Sequence, residues 1–177
     1  VIQANDNTNL HSETALSNDS LGFFQNAEKP HKQRTRLLAG TVLGLYPVSM
    51  YWLYNQWYRD YPQSGFHLFN DNEEWEKMDK FGHTWDAYSI AKPLMRTFHW
   101  AGHDNKRSTL YASGIAFLYQ TTIEVFDGFS EEWGFSTGDV IANTLGVAAF
   151  AGQQLIWEEQ RVVLKYSFHQ TKYAKYR

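Results

Sequence analysis

The sequence predicts a mostly α-helical fold: a small bundle of about four apolar helices, with a polar N-terminal strap and a C-terminal β-strand extension. Three observations predict it. Long apolar stretches recur between short breaks rich in Gly, Pro and Asn. The apolar share of 43% over 177 residues is enough for one core in one domain. Residues 161–177 then change to a short alternating pattern. This divides the chain into a strap, 1–36, a helical bundle, 37–160, and an extension, 161–177.

The strap is polar and has no sustained period; Phe23 and Phe24 are its only aromatic anchors. Within it, Asp19-Ser20-Leu21 fits the short Asp-Ser/Thr-aliphatic pattern used for O-glycosylation in one group of Gram-negative bacteria, which makes Ser20 a candidate acceptor. Chance occurrence in a Ser/Asn-rich tail is the competing reading. The chain begins at Val1 and reads as a processed product or a fragment.

Lys29, Lys32, Arg34 and Arg36 precede a charge-free apolar run, residues 37–57. Its 21 residues reach the roughly 20 needed to cross a bilayer. Gly40, Gly44 and Pro47 interrupt it, as membrane helices tolerate. Its second half is rich in Tyr and Trp, as at a membrane interface. The run therefore reads as a helix in or on a membrane, with a helix buried in a large complex as the alternative. Residues 61–72 form a loop. A second helix starts at Asn72 and Glu73, where acids suit a first turn, and runs through a Pro93 kink to Trp100. Gly102 to Asn105 breaks the chain. A third helix covers about 108–126, and a loop covers 128–134. A fourth opens with Ser136 as N-cap and Asp139 three positions on, and ends near Gln160. The alternation over 162–168 reads as a strand. Ala112, Gly114, Ala116, Gly146, Ala148, Ala149 and Gly152 provide small surfaces for close helix contact.

Composition excludes several functions. A net charge of −3 argues against a nucleic-acid partner. The absence of cysteine excludes a disulfide scaffold, a thiolate zinc site and a cysteine nucleophile. The sequence has no glycine-rich phosphate loop, no Gly-x-Ser-x-Gly elbow and no His-Glu-x-x-His pattern, so it gives no organic cofactor-binding residue.

Three helical pairs carry the polar chemistry. Asp79 and His83 are i and i+4, Glu124 and Asp127 are i and i+3, and Asp139 and Asn143 are i and i+4, so each pair shares a helix face. Ionisable groups on apolar helices are costly alone, so the pairs are expected to converge. Three readings stay open. The groups form a satisfied polar network neutralised by Lys80 or Arg96. They hold one divalent metal ion, because carboxylate and imidazole ligands at these spacings recur in metal-binding bundles. Or they form a catalytic acid/base centre. His99 and His103 read as surface or helix-end groups, and His67 and His169 as residues without a nearby partner.

At these residues the chain resembles the YfiM-like family, a domain of unknown function described as periplasmic lipoproteins or membrane-associated proteins. The carriers are Asp79-Lys80-Phe81-Gly82-His83, then Glu124-Val125-Phe126-Asp127, then the stretch from Phe135 to Asn143 with Gly146. The closing stretch, residues 165–177, is similar to longer members. The Asp-Lys-x-x-His opening also resembles, more distantly, the VanZ-like small membrane proteins. The resemblance implies an α-helical cell-envelope protein with no established activity. The lipoprotein description calls for an N-terminal cysteine, which these residues do not include.

The expected function is therefore a non-enzymatic accessory subunit of a larger assembly. It would sit at the periplasmic face of the outer membrane, or at the inner membrane. Its partners would be other envelope proteins, among them outer-membrane β-barrel machinery. The alternative is a metal-dependent hydrolase acting on lipid or cell-wall material, with Asp79, His83, Glu124, Asp127 and Asp139 as ligands or acid/base groups and Asn143 orienting a ligand or substrate.

Overall fold

The structure, a computed structural model, describes residues 21–73, 77–165 and 167. Ser20, most of the strap and most of the closing stretch lie outside the described residues. Four helices follow one another: α1 Lys32–Leu53, α2 Met78–Trp100, α3 Asn105–Asp127 and α4 Thr137–Trp157. A wider π-helical turn, Tyr54–Tyr58, continues α1, and the Arg59 N–H reaches back to the Tyr54 carbonyl.

Helix ends follow local chemistry. Ser136 caps α4 by accepting the Asp139 N–H at 3.1 Å, as the sequence predicts. Asp104 caps α3 through the Arg107 N–H at 2.8 Å, so α3 begins three residues earlier than its apolar pattern suggests. α1 also begins early, at Lys32, where the His31 ring accepts the Arg34 N–H. α2 begins later than the acidic signal at Asn72 and Glu73: Lys77 adopts a left-handed backbone immediately before it. Pro93 is accommodated within α2, and α4 stops at Trp157 because Glu158 turns left-handed.

Tertiary bonds fix the directions. The His31 N–H donates to the Ala101 carbonyl, so α1 starts where α2 ends. Thr84 Oγ1 donates to the Ala142 carbonyl, which aligns the starts of α2 and α4. The Asn105 side chain joins Gln154, pairing the start of α3 with the end of α4. The result is an up-down-up-down bundle. Its core is Tyr88, Ala91, Met95, Ala112, Ala116 and Phe150, drawn from α2, α3 and α4. Ala112, Ala116 and Gly146 supply the close contacts expected of small residues, whereas Gly114, Ala148 and Ala149 face outward.

α1 stands apart from this core. Tyr46 touches α3 through Tyr119 and Thr122. The outer residues Leu37, Leu43, Leu45, Val48, Tyr51 and Trp52 are exposed. The foot of α1 is fastened by Arg34, a buried guanidinium that donates to the Gly22, Gln25 and Trp100 carbonyls at 2.6–2.9 Å and stacks over the Trp100 ring. Residues 21–31 are thereby seated on the end of α2, where Gly102 takes φ 87° under the Lys29 carbonyl.

The expected C-terminal strand is not formed among the described residues. Two isolated bridges, Gln63 with Ser130 and Leu68 with Phe135, are the β-type pairing there. The reason is local: Gln153 on α4 grips both backbone groups of Val162, accepting its N–H at 2.7 Å and donating to its carbonyl at 3.0 Å. Tyr88 Oη donates to the same carbonyl, and Leu164 packs on the core. The alternation thus serves helix docking rather than sheet pairing.

A Cβ at position 146 would run into the Thr84 carbonyl oxygen, whereas position 152 faces open space. Gly146→Ala should therefore destabilise the bundle by about 1–3 kcal/mol, and Gly152→Ala should be neutral or stabilise it by up to about 1 kcal/mol. Thermal melts of the two variants check this.

Candidate functional site

The polar pairs meet at the end of the bundle where α2 and α4 begin and α3 finishes. His83 is the centre. Its Nδ1 lies 3.2 Å from Asn143 Oδ1 and 3.4 Å from Glu124 Oε1. Its Nε2 lies 3.6 Å from Asp79 Oδ1 and 3.9 Å from Asp139 Oδ1. Four of the six residues expected to converge thus surround the imidazole of a fifth, His83. Asp127 is the exception: its carboxylate turns toward α1 and accepts the Tyr58 hydroxyl at 2.6 Å.

A second knot lies beside the first. Lys80 Nζ is 2.6 Å from Asp71, 2.7 Å from Asp139 and 3.3 Å from Asp79. Its approach to Asp139 Oδ1 is an ion pair off the hydrogen-bond line, because that oxygen has no partner of hydrogen-bond geometry. Ser136 Oγ donates to Asp71 at 2.7 Å while accepting the Asp139 N–H, and the Ser136 N–H donates to Glu124 Oε2. Lys80 is therefore the neutralising cation; Arg96, the other candidate, lies sixteen residues along α2, roughly 24 Å away. The sequence reading missed Asp71 and Tyr58, which come from a loop and from the end of α1. Their only local signals are the turn run Asn70-Asp71-Asn72 and a tyrosine following a Trp-rich stretch. It also gave His67 no partner, yet that ring lies 2.7 Å from the Trp133 carbonyl and ties the 63–69 loop to the 128–135 loop.

Electrostatics follow from burial. The Glu124 carboxyl is pushed up to about 9 by burial and by the Asp139 and Asp127 charges, against the Ser136 N–H that lowers it. Burial also raises Asp127 and Asp139 to about 6 each; the Tyr58 bond and the Lys80 ammonium respectively hold them below where burial alone would take them. Burial works against the charged form of Lys80, but its close ion pairs with Asp139 and Asp71 outweigh it and raise the ammonium's value. Burial likewise works against the Asp71 carboxylate, but the bonds from Lys80 and Ser136 prevail and lower it.

Above this floor opens a cavity of about 790 Å³. Asp79, His83, Asp127 and Asp139 face it, beneath aromatic walls from Trp57 and Trp133. Carboxylates and an imidazole under aromatic walls suit a cation or a cation-bearing ligand.

Residues 65–153, half of the chain, match the model of a family described as predicted periplasmic lipoprotein (DUF2279). This stretch contains every polar residue of the site except Tyr58, and none of α1. No curated protein and no solved structure matches the chain.

Lys80→Met should strand Asp71 and Asp139 and cost about 3–5 kcal/mol, read as a lowered Tm. Adding Asp71→Asn and Asp139→Asn should recover most of it, since no buried charge then lacks a partner. A second outcome concerns pH. Between the ordinary value of 4.5 and about 9, folded Glu124 holds a proton that the unfolded chain has released. Stability therefore falls as pH rises across that window. Glu124→Gln, which is uncharged throughout, should flatten the decline between pH 6 and 9; urea melts in chelator-containing buffer at several pH values measure it.

Proposed function

The chain belongs to the family of predicted periplasmic lipoproteins (DUF2279), which makes it an envelope-associated protein, and on that premise we propose that it is a non-enzymatic accessory subunit held against a bilayer by α1. In this reading it works at the periplasmic face of the outer membrane, beside other envelope proteins such as β-barrel machinery. The family's description as predicted periplasmic lipoproteins supports the envelope setting.

One observation carries the reading. α1 and its π-helical turn present Leu37, Leu43, Leu45, Val48, Trp52 and Trp57 outward, with no Asp, Glu, Lys or Arg between positions 37 and 58. The segment Lys32–Tyr58 is long and apolar enough to cross a membrane, and little of it is covered by the bundle. Each large apolar side chain withdrawn from water contributes about 1.5–3 kcal/mol, so a bare face of this size calls for a lipid or protein cover. α4 passes the same length and composition test, but it packs into the core and carries buried Asp139 and Asn143, so its role is in the bundle.

A second reading, a metal-dependent hydrolase of lipid or cell-wall material, is favoured by the open cavity over Asp79, His83 and Asp139. Turnover of such substrates by the purified chain would select it.

Flotation with phosphatidylethanolamine/phosphatidylglycerol vesicles tests the first reading. The full chain should rise with the vesicles. Leu43→Glu/Val48→Glu/Trp52→Glu should lose at least tenfold in bound fraction while keeping its melting transition, because these side chains touch little of the bundle. A full chain that stays monomeric without detergent and ignores vesicles would overturn membrane seating. Purification from native membranes without any companion protein would overturn the accessory role.

A further inference from the structure

We propose that Asp79, His83 and Asp139 form a site for one divalent transition-metal ion on the floor of the cavity. Asp79, His83 and Asp139 each offer one ligand atom, and these atoms lie within 4.8 Å of one another. Zinc bonds of about 2.0–2.2 Å would set tetrahedral ligand atoms roughly 3.3–3.5 Å apart. The imidazole-to-carboxylate separations of 3.6 and 3.9 Å are close to that spacing. Asp79 is half-exposed, so its side chain can turn to close the rest of the gap.

The imidazole is oriented for the task. Asn143 Oδ1, the nearer atom to Nδ1, can only accept, so in the neutral tautomer that bonds it the ring hydrogen is on Nδ1. Nε2 then presents a lone pair toward Asp79 and Asp139, so three acceptors face one point with no hydrogen between them. A cation at that point removes the conflict. A ring N–H held by an amide or carboxylate oxygen is the usual support of a metal-bound histidine.

A separate observation points the same way. Asp139 is 3% exposed, and its Oδ1, 3.9 Å from Nε2, has no hydrogen-bond partner among the described residues. Asn143 is fully buried, and its Nδ2 is equally unmatched. Burying such atoms costs about 1–3 kcal/mol each unless the arrangement serves something. Charge counting agrees: among the described residues Lys80 is the one lysine or arginine in ion-pair contact with Asp71, Asp79 and Asp139. A divalent ion offsets the excess, and the open side of the cavity leaves positions for water. Glu124 and Asn143 are positioning residues in this arrangement.

The full chain, stripped with chelator in mild detergent, is titrated with zinc by calorimetry and native mass spectrometry. Zinc is the stringent probe, because among common divalent ions it binds imidazole–carboxylate sets more tightly than manganese or iron. One zinc per chain should bind and raise the Tm. Asp79→Asn and His83→Gln should each weaken binding at least a hundredfold, and Glu124→Gln about 10–100-fold. Asp79→Asn is the decisive variant, because its half-exposed side chain is not needed for folding, as its own melt verifies. Absence of zinc binding, or unchanged affinity in a folded Asp79→Asn protein, overturns the site. Zinc binding and vesicle flotation are read separately, so either can fail without the other.

Discussion

The ion pair between Lys80 and the carboxylates of Asp71 and Asp139 is the constraint on which the site end of the bundle depends. It joins the start of α2, the start of α4 and the loop before α2 at one ammonium. Ser136 completes the knot from below, capping α4 with the same hydroxyl that reaches Asp71. Because α4 is held at its first turn, Asn143 and Gly146, one and two turns further along, are set against His83 and Thr84. The charge of Lys80 thus determines the register of two apolar helices, which dispersion between smooth small-residue faces would leave loosely defined.

Much of this was legible in the sequence, for physical reasons. Four helices were readable because long apolar runs and strong caps such as Ser136 are local signals. The convergence around His83 was readable because i,i+4 polar pairs on apolar faces must find partners. Asp71 and Tyr58 were not readable, because Asp71 sits in a loop with only a turn signal and Tyr58 reaches Asp127 across 69 positions of sequence. The expected strand at 162–168 failed for an instructive reason. Its alternation is real, but the Gln153 side chain imitates a neighbouring strand by offering an amide to both Val162 backbone groups. Side-chain mimicry of that kind leaves no trace in hydrophobic periodicity. Arg34 was read as one of a basic cluster, yet it is buried and bound to three carbonyls.

The family match and the structure divide the molecule in the same place. Residues 65–153 hold α2, α3, most of α4 and every polar site residue except Tyr58. α1 lies outside the matched stretch and carries the bare apolar face. The site-bearing part is therefore the part that the family model covers, and the bare apolar face lies outside it. Acid chemistry and apolar contact meet where α1 ends, since Trp57 borders the cavity and Tyr58 bonds Asp127.

That meeting point rests on the π-helical turn at Tyr54–Tyr58. A π turn carries one residue more than the α turn it replaces, so everything after it is rotated by about 100°. Tyr54 and Tyr58, the first and last residues of the turn, both pack on Phe126 of α3, and the phase of the turn brings the Tyr58 hydroxyl to Asp127. The turn acts as a vernier: its extra residue sets the phase in which Tyr58 meets α3, so removing one residue from it would swing Tyr58 by about 100° away from Asp127.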